Sequence, residues 1–236
     1  MTGNLYLIPV DLGNDSIDEV IPQKVLELTR KLDYFIVEDI RTARRYLSKI
    51  KTGHCIDDIR FSILNEHSKS EDIASLLKSV VEGHDVGVMS EAGLPGLADP
   101  GADVVRIAHE KGIRVIPLVG PSSIFMALIA SGMNGQNFAF VGYLPVKPKE
   151  REQRIWMLES RSLNERQSQL FIEAPYRNNQ LLTSLLSVCR KNTRLCIAYN
   201  ISHEDEFIVT KTIGAWKKQT PDLHKKPCLF ILNAGC

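Results

Sequence analysis

The sequence lacks most of the features that would classify it at a glance. Cysteine is scarce: the five in 236 residues stand at positions 55, 189, 196, 228 and 236, an odd number with no C-x-x-C pair. That pattern supports neither a disulfide framework nor a zinc ribbon, and free thiols fit a reducing compartment. Cys196 and Cys228 sit in apolar runs and are expected in the core. An excess of charge of one sign is also missing. The 29 Lys and Arg stand against 28 Asp and Glu, a formal net charge of +1. This excludes nucleic-acid binding through bulk positive charge and leaves a local basic patch open. Long apolar runs are absent too. Stretches such as residues 124–130 fall far short of the ~20 residues of a membrane span. No basic segment followed by a long apolar one opens the chain, so no signal peptide is expected and a soluble, cytoplasmic protein is.

What is present reads as an ordinary globular chain, 44% hydrophobic and 24% charged, long enough to bury a core without staples. Apolar runs of strand length alternate with segments of helical period. Strands are expected at residues 5–9, 34–37, 61–64, 86–89 and 113–118. Helices are expected at 17–32, where Pro22 falls near the start, and at 41–50, 71–82, 102–111 and 122–131. Gly112 and Gly132 are placed to end the last two. Such alternation predicts a mostly parallel sheet covered by helices. After Gly135 the pattern changes. Strands are expected at 138–141, 169–172, 195–199, 206–212 and 228–233, with helices at 155–159 and 176–189. The spacing of residues 195–212 suits a hairpin, so a mixed sheet is expected there. The expected fold is α/β in two domains, residues 1–134 and 135–236.

The most informative stretch is the loop after residues 86–89, Ser90-Glu91-Ala92-Gly93-Leu94-Pro95-Gly96-Leu97-Ala98-Asp99-Pro100-Gly101. Glycine lets backbone approach a ligand closely and proline stiffens the loop. It is neither a P-loop, since no Gly-Lys-Ser/Thr follows, nor a G-x-G-x-x-G turn. Val119-Gly120-Pro121-Ser122-Ser123 and Pro9-Val10-Asp11-Leu12-Gly13-Asn14 hold the same position after their own strands. Each alone reads equally as a rigid turn. Together they line one edge of one sheet, where open α/β folds bind ligands.

These loops, taken in order with Glu38-Asp39-x-Arg41, Asn65-Glu66-His67 and Glu173-Ala174-Pro175-Tyr176-Arg177, resemble the tetrapyrrole (corrin/porphyrin) methylase superfamily. Within it they are most similar to the RsmI branch, the ribosomal RNA small-subunit 2′-O-ribose methyltransferases. The resemblance spans residues 5–231. It implies two α/β domains with S-adenosylmethionine in the cleft between them, and a homodimer. By motif it assigns cofactor binding to Pro9, Gly13, Glu91, Gly93, Leu94, Pro95, Asp99, Ser122 and Ser123. In the second domain it assigns Ala174, Pro227, Cys228 and Leu229. It implies no metal. Some positions depart from the family's usual residues: Asp11 stands for proline, Glu91 for aspartate, Leu94 for threonine and Ala98 for serine. Asn200-Ile201-Ser202-His203 stands where the ribosomal enzymes carry Glu-Leu-Thr-Lys.

Catalytic candidates lie at strand ends. Glu38, Asp39 and Arg41 either reach the cleft or cap and flank a helix. His67 either touches substrate or is a structural histidine. Tyr176 and Arg177 either stack on a base and clamp a phosphate, or open a helix with Arg177 paired to Glu173. Two basic clusters could contact RNA: Arg41, Arg44, Arg45, Lys49 and Lys51, and Lys147, Lys149, Arg151, Arg154 and Arg161. The expected activity is methyl transfer to an RNA ribose 2′-hydroxyl. The alternatives are a small-molecule, tetrapyrrole-like substrate and a non-catalytic S-adenosylmethionine-binding paralogue.

Overall fold

The computed structural model describes residues 2–13, 17–64 and 70–235. It divides into two compact units, Met1–Ser122 and Ser123–Cys236.

The first unit is built on five strands: β1 (Asn4–Ile8), β2 (Tyr34–Val37), β3 (Arg60–Ile63), β4 (Val86–Met89) and β5 (Arg114–Pro117). They form one sheet in the order β3-β2-β4-β1-β5, with every pair parallel. Among the described residues, six α-helices accompany it: α1 (Ile17–Val20), α2 (Gln23–Thr29), α3 (Ile40–Lys49), α4 (Ser70–Leu76), α5 (Lys78–Val81) and α6 (Gly101–Glu110). Period-two alternation sends side chains to both faces. Ile8, Phe35, Val37 and Met89 pack with residues of α1, α2 and α3. Leu5, Ile36, Val86 and Val88 pack with residues of α4, α5 and α6. Both faces are therefore covered, as a parallel sheet requires.

Two helices expected as continuous are broken. The one read over residues 17–32 is α1 and α2. Pro22 stands between them with φ −57° and ψ 138°, because proline lacks the N–H and biases the residue before it away from helix. The one read over 71–82 is α4 and α5, meeting at Leu77.

The second unit contains α7 (Ser123–Ala130), β6 (Phe138–Tyr143), α8 (Pro148–Glu165), β7 (Ser168–Ile172), α9 (Asn178–Val188), β8 (Arg194–Tyr199), β9 (Phe207–Thr212), α10 (Ile213–Trp216) and β10 (Cys228–Asn233). Its sheet runs β6-β7-β10-β8-β9. β6 and β7 are parallel, while β10 is antiparallel to both its neighbours, so the sheet is mixed. β8 and β9 form the expected hairpin, with Tyr199 opposite Phe207. The second unit includes α7, which packs on β10.

α8 is far longer than the five residues its apolar period suggested. Pro148 opens it and Arg166, at φ 50°, closes it. The period was hidden because Arg151, Glu159 and Ser162 lie on its buried face. α10 was not expected at all. The Thr212 hydroxyl caps it by accepting from the Ala215 N–H at 3.2 Å. It carries the buried Trp216, whose Nε1 donates to the Leu195 carbonyl at 2.9 Å. Cys196 and Cys228 are buried as expected, Cys189 is buried as well, and Cys55 is exposed; Cys236 lies outside the described residues. Among the described residues no helix is long and apolar enough to cross a membrane.

Candidate active site

Strand order marks a candidate site in the first unit. From β1 the chain crosses towards β2 and β3; from β4 it crosses the other way, to β5. β1 and β4 are neighbours whose connections diverge, the switch point at which open α/β sheets bind ligands beyond the carboxyl ends of the strands.

Three loops meet at that edge and are tied together through backbone. The Val10 N–H donates to the Gly93 carbonyl at 2.9 Å, an isolated bridge between the loops after β1 and β4. The loop after β5 presses on the first: a Cβ built on Gly120 would lie 2.1 Å from Pro9 Cβ, so no other residue fits without displacing one loop. Gly93 holds φ +73°, a conformation open to glycine and strained for most residues. The Asp99 carboxylate staples its own loop. Its Oδ1 accepts from the N–H groups of Gly96 at 2.8 Å and Gly101 at 2.7 Å. Its Oδ2 is buried without a hydrogen-bond partner among the described residues. Pro95 is buried and Leu94 half-buried. Ser122, buried, precedes α7, and Ser123 is the first residue of that helix.

A cavity of ≈ 230 Å³ opens beside these loops. One wall is Val10–Gly13 with Met89–Ala92; the other is a stripe of α3, Thr42, Arg45, Tyr46 and Lys49. That spacing of three, four and seven residues places the stripe on one helix face. Tyr46 is buried, its hydroxyl donating to the Pro9 carbonyl at 3.2 Å. Burial, helped by the charge of Asp11, raises its pKa. Of the residues expected from sequence, Gly13 and Glu91 line this cavity. The stripe itself was missed as a unit, although its helical period was there to be read.

The Glu38-Asp39-Arg41 motif separates into different roles. Asp39 is the N-cap of α3, its Oδ1 accepting from the Thr42 N–H at 2.7 Å. That bond holds its carboxyl below the ordinary range. Glu38 is half-buried. Burial, then the charges of Asp99 and Glu91, push its carboxyl pKa up. Arg41 is exposed on the first turn of α3 and is not part of the cavity wall. Asn14, Asn65, Glu66 and His67 lie outside the described residues.

In the second unit, Glu173 is buried and its Oε1 accepts from Arg177 Nε at 2.9 Å and Nη2 at 2.6 Å. The same oxygen takes the Ala174 N–H at 2.7 Å. Arg177 also donates to the Tyr176 hydroxyl at 2.6 Å, and its guanidinium lies 4.8 Å from the centre of that ring. Its charge is thus taken up by Glu173, while Tyr176 stays exposed. The Pro227 carbonyl accepts from the Asn200 N–H at 3.3 Å. Cys228 and Leu229 are buried in the central strand β10, where burial pushes the Cys228 thiol up to about 12.

The second basic cluster loses one member from the surface. Arg151 is buried, bonded to the Ser184 hydroxyl at 3.0 Å and the Val146 carbonyl at 3.1 Å. Lys147 pairs with Glu150 and Arg161 with Glu165. In the first cluster Arg44 pairs with Asp57, whereas Arg45 and Lys49 face the cavity. Among the described residues no group of three or more His, Cys, Asp or Glu is placed to hold a metal ion.

A glycine–proline loop at the switch point of a parallel sheet, followed by a mixed-sheet unit, matches a known family. Residues 5–216 fit the model of the tetrapyrrole (corrin/porphyrin) methylases, and the chain belongs to that family of methyltransferases. The motifs had pointed to its ribosomal RNA branch, and the relatives carry that name. The chain is 29% identical to ribosomal RNA small subunit methyltransferase I of Escherichia coli O157:H7, over 98% of its own length and 78% of the relative's. It is 32% identical to the protein of the same name from Streptococcus pyogenes serotype M6, over 98% and 76%. Among solved structures, the methyltransferase CobJ superposes with a TM-score of 0.66 over 98% of this chain and 94% of that one, at 14% identity, a likeness of fold.

Proposed function

We propose that the protein transfers the methyl group of S-adenosylmethionine to a ribose 2′-hydroxyl of RNA, with small-subunit ribosomal RNA as the substrate. The observation that carries the reading is the near-complete match to relatives named for that RNA. The backbone-tied loops at the switch point agree with it.

The loops suit the cofactor. S-adenosylmethionine combines a carboxylate, an ammonium, a sulfonium and an adenine, all of which backbone N–H and C=O groups can meet without countercharged side chains. Pro9, Gly13, Gly93, Leu94 and Pro95 offer such backbone, with Ser122 and Ser123 adding hydroxyls. Glu91 and Asp99 add carboxylate oxygens, including the buried Oδ2 of Asp99, unpartnered among the described residues. The proposal assigns Ala174, Pro227, Cys228 and Leu229 of the second unit to the same ligand. When bound, the cofactor supplies an electrophilic methyl group.

The protein's own task is to align and to accept a proton. In-line transfer draws most of its rate from positioning. A ribose hydroxyl is a poor nucleophile and gains from a nearby base. Glu38, its pKa raised by burial and by Asp99 and Glu91, is the better proton acceptor of the carboxylates at this edge. Asp39 is committed to its cap. Tyr176 presents an exposed ring on which a base can stack. Arg177 acts through it as a positioning residue, anchored by Glu173. A homodimer and a cytoplasmic setting complete the proposal; light scattering and cell fractionation check them.

A tetrapyrrole substrate is the second reading, favoured by the description of the family. Incubation with methyl-labelled S-adenosylmethionine separates the two. Label in alkali-resistant dinucleotides of small-subunit ribosomal RNA is the expected result. Label in a tetrapyrrole and none in RNA would establish the second reading.

A further inference from the structure

The cavity beside α3 has two unlike walls. Arg45 and Lys49 stand on the helix; the carboxylates of Asp11 and Glu91 stand on the loops after β1 and β4. Arg45 and Lys49 are exposed along this face of the helix. Both walls are fixed from behind. The stripe is anchored by the buried Tyr46 and its bond to the Pro9 carbonyl. The opposite wall is anchored by the bridge between Val10 and Gly93. Asp11 keeps its turn closed by accepting the Gly13 N–H at 2.7 Å through Oδ1.

A ligand for this space must carry negative charge on one side and hydroxyl donors on the other. We propose that the cavity holds one sugar–phosphate unit of the RNA strand, an inference that rests on the RNA reading above. Arg45 and Lys49 take the phosphate oxygens, which a guanidinium matches in a planar, two-bond geometry. The carboxylate of Asp11 accepts from the ribose hydroxyls. This divides recognition in two: the helix supplies affinity for any phosphate, and the carboxylate separates RNA from DNA.

The test is anisotropy titration of the full chain with a labelled single-stranded oligoribonucleotide over a range of salt. S-adenosylmethionine binding is measured on the same samples by calorimetry. Arg45→Ala is expected to weaken RNA binding by about tenfold and to reduce the slope of log affinity against log salt by about 0.7, one phosphate contact on a single strand. Arg45→Lys is expected to restore most of the slope. The deoxyribonucleotide of the same sequence is expected to bind more weakly to wild type. Unchanged affinity and slope in both Arg45→Ala and Arg45→Glu, with wild type binding RNA, would overturn the phosphate assignment alone. Equal affinity for RNA and DNA would overturn the ribose assignment. Wild type that binds S-adenosylmethionine but no RNA would overturn the RNA reading and this inference with it. So would a tetrapyrrole carboxylate that binds wild type and loses its affinity in Arg45→Glu.

Discussion

The two units treat polar side chains in opposite ways. Among the described residues of the first, those buried are Thr29, Ser90 and Ser122; its sheet lies between two apolar clusters. The second buries Arg151, Glu159, Gln169, Glu173, Asn178 and Asn233 together with several serines. The first keeps its polar chemistry in loops beyond the strand ends, where backbone does most of the holding. The second carries hydrogen-bonded polar groups through its interior, and these specify how α8, α9 and the sheet fit together. A hydrophobic interior leaves the loops free to be shaped by ligand chemistry; a polar interior ties stability to individual side chains.

The sharpest way to break this contrast is to remove a buried charge. Glu159 accepts from the Arg190 N–H at 2.8 Å and from the Thr193 hydroxyl. Glu159→Ala is expected to destabilise by about 2–4 kcal/mol, since it leaves a void and two unpaired donors. The counterpart in the first unit is Thr29→Val, where the hydroxyl bonds the Val25 carbonyl one turn back. It is expected to cost within about 1 kcal/mol. Denaturant titration of both variants checks the pair, and equal losses would erase the distinction.

The next effect falls on binding. Gly120→Ala forces the loop after β5 away from Pro9. It is expected to weaken S-adenosylmethionine binding by about tenfold or more, because misplacing a pre-organised site by about an ångström is costly. Calorimetry reads it directly, and undiminished affinity would show that these two loops need not be in register.

The smallest effects concern pH and follow two carboxylates at the start of α3. Asp39 has a lowered pKa, set first by the Thr42 backbone N–H. The stability it contributes is present at neutral pH, above its unfolded value of about 3.9, and is lost as pH falls through the lowered folded value. The gap between wild type and Asp39→Ala should therefore narrow in acid. Glu38 behaves in reverse. Its raised pKa means that the folded chain favours the neutral form, so stability is lost as pH rises from about 4 through the raised value. Glu38→Gln should gain on wild type over that interval. Thermal melts across pH check both, and parallel curves would contradict them.

The same contrast explains what the sequence revealed. Strands of the first unit could be read because Val86–Met89 and its neighbours are apolar without interruption. The three loops could be read from their glycines and prolines. In the second unit Arg151 looked like a surface cation and only five residues of α8 looked helical, since its buried face carries arginine, glutamate and serine. The break at Pro22 was a matter of local sterics outweighing an apolar period. Within the site, motif strings marked the loops but not the wall facing them. Thr42, Arg45, Tyr46 and Lys49 form a surface only once α3 lies against β1 and β4.

The decisive measurement is calorimetric titration of the intact chain with S-adenosylmethionine, and in parallel with a nicotinamide dinucleotide and a nucleoside triphosphate. A methyltransferase that grips its donor chiefly through these backbone loops should bind S-adenosylmethionine saturably and neither of the others. Saturable binding of a dinucleotide or a triphosphate, with none of S-adenosylmethionine, would contradict it.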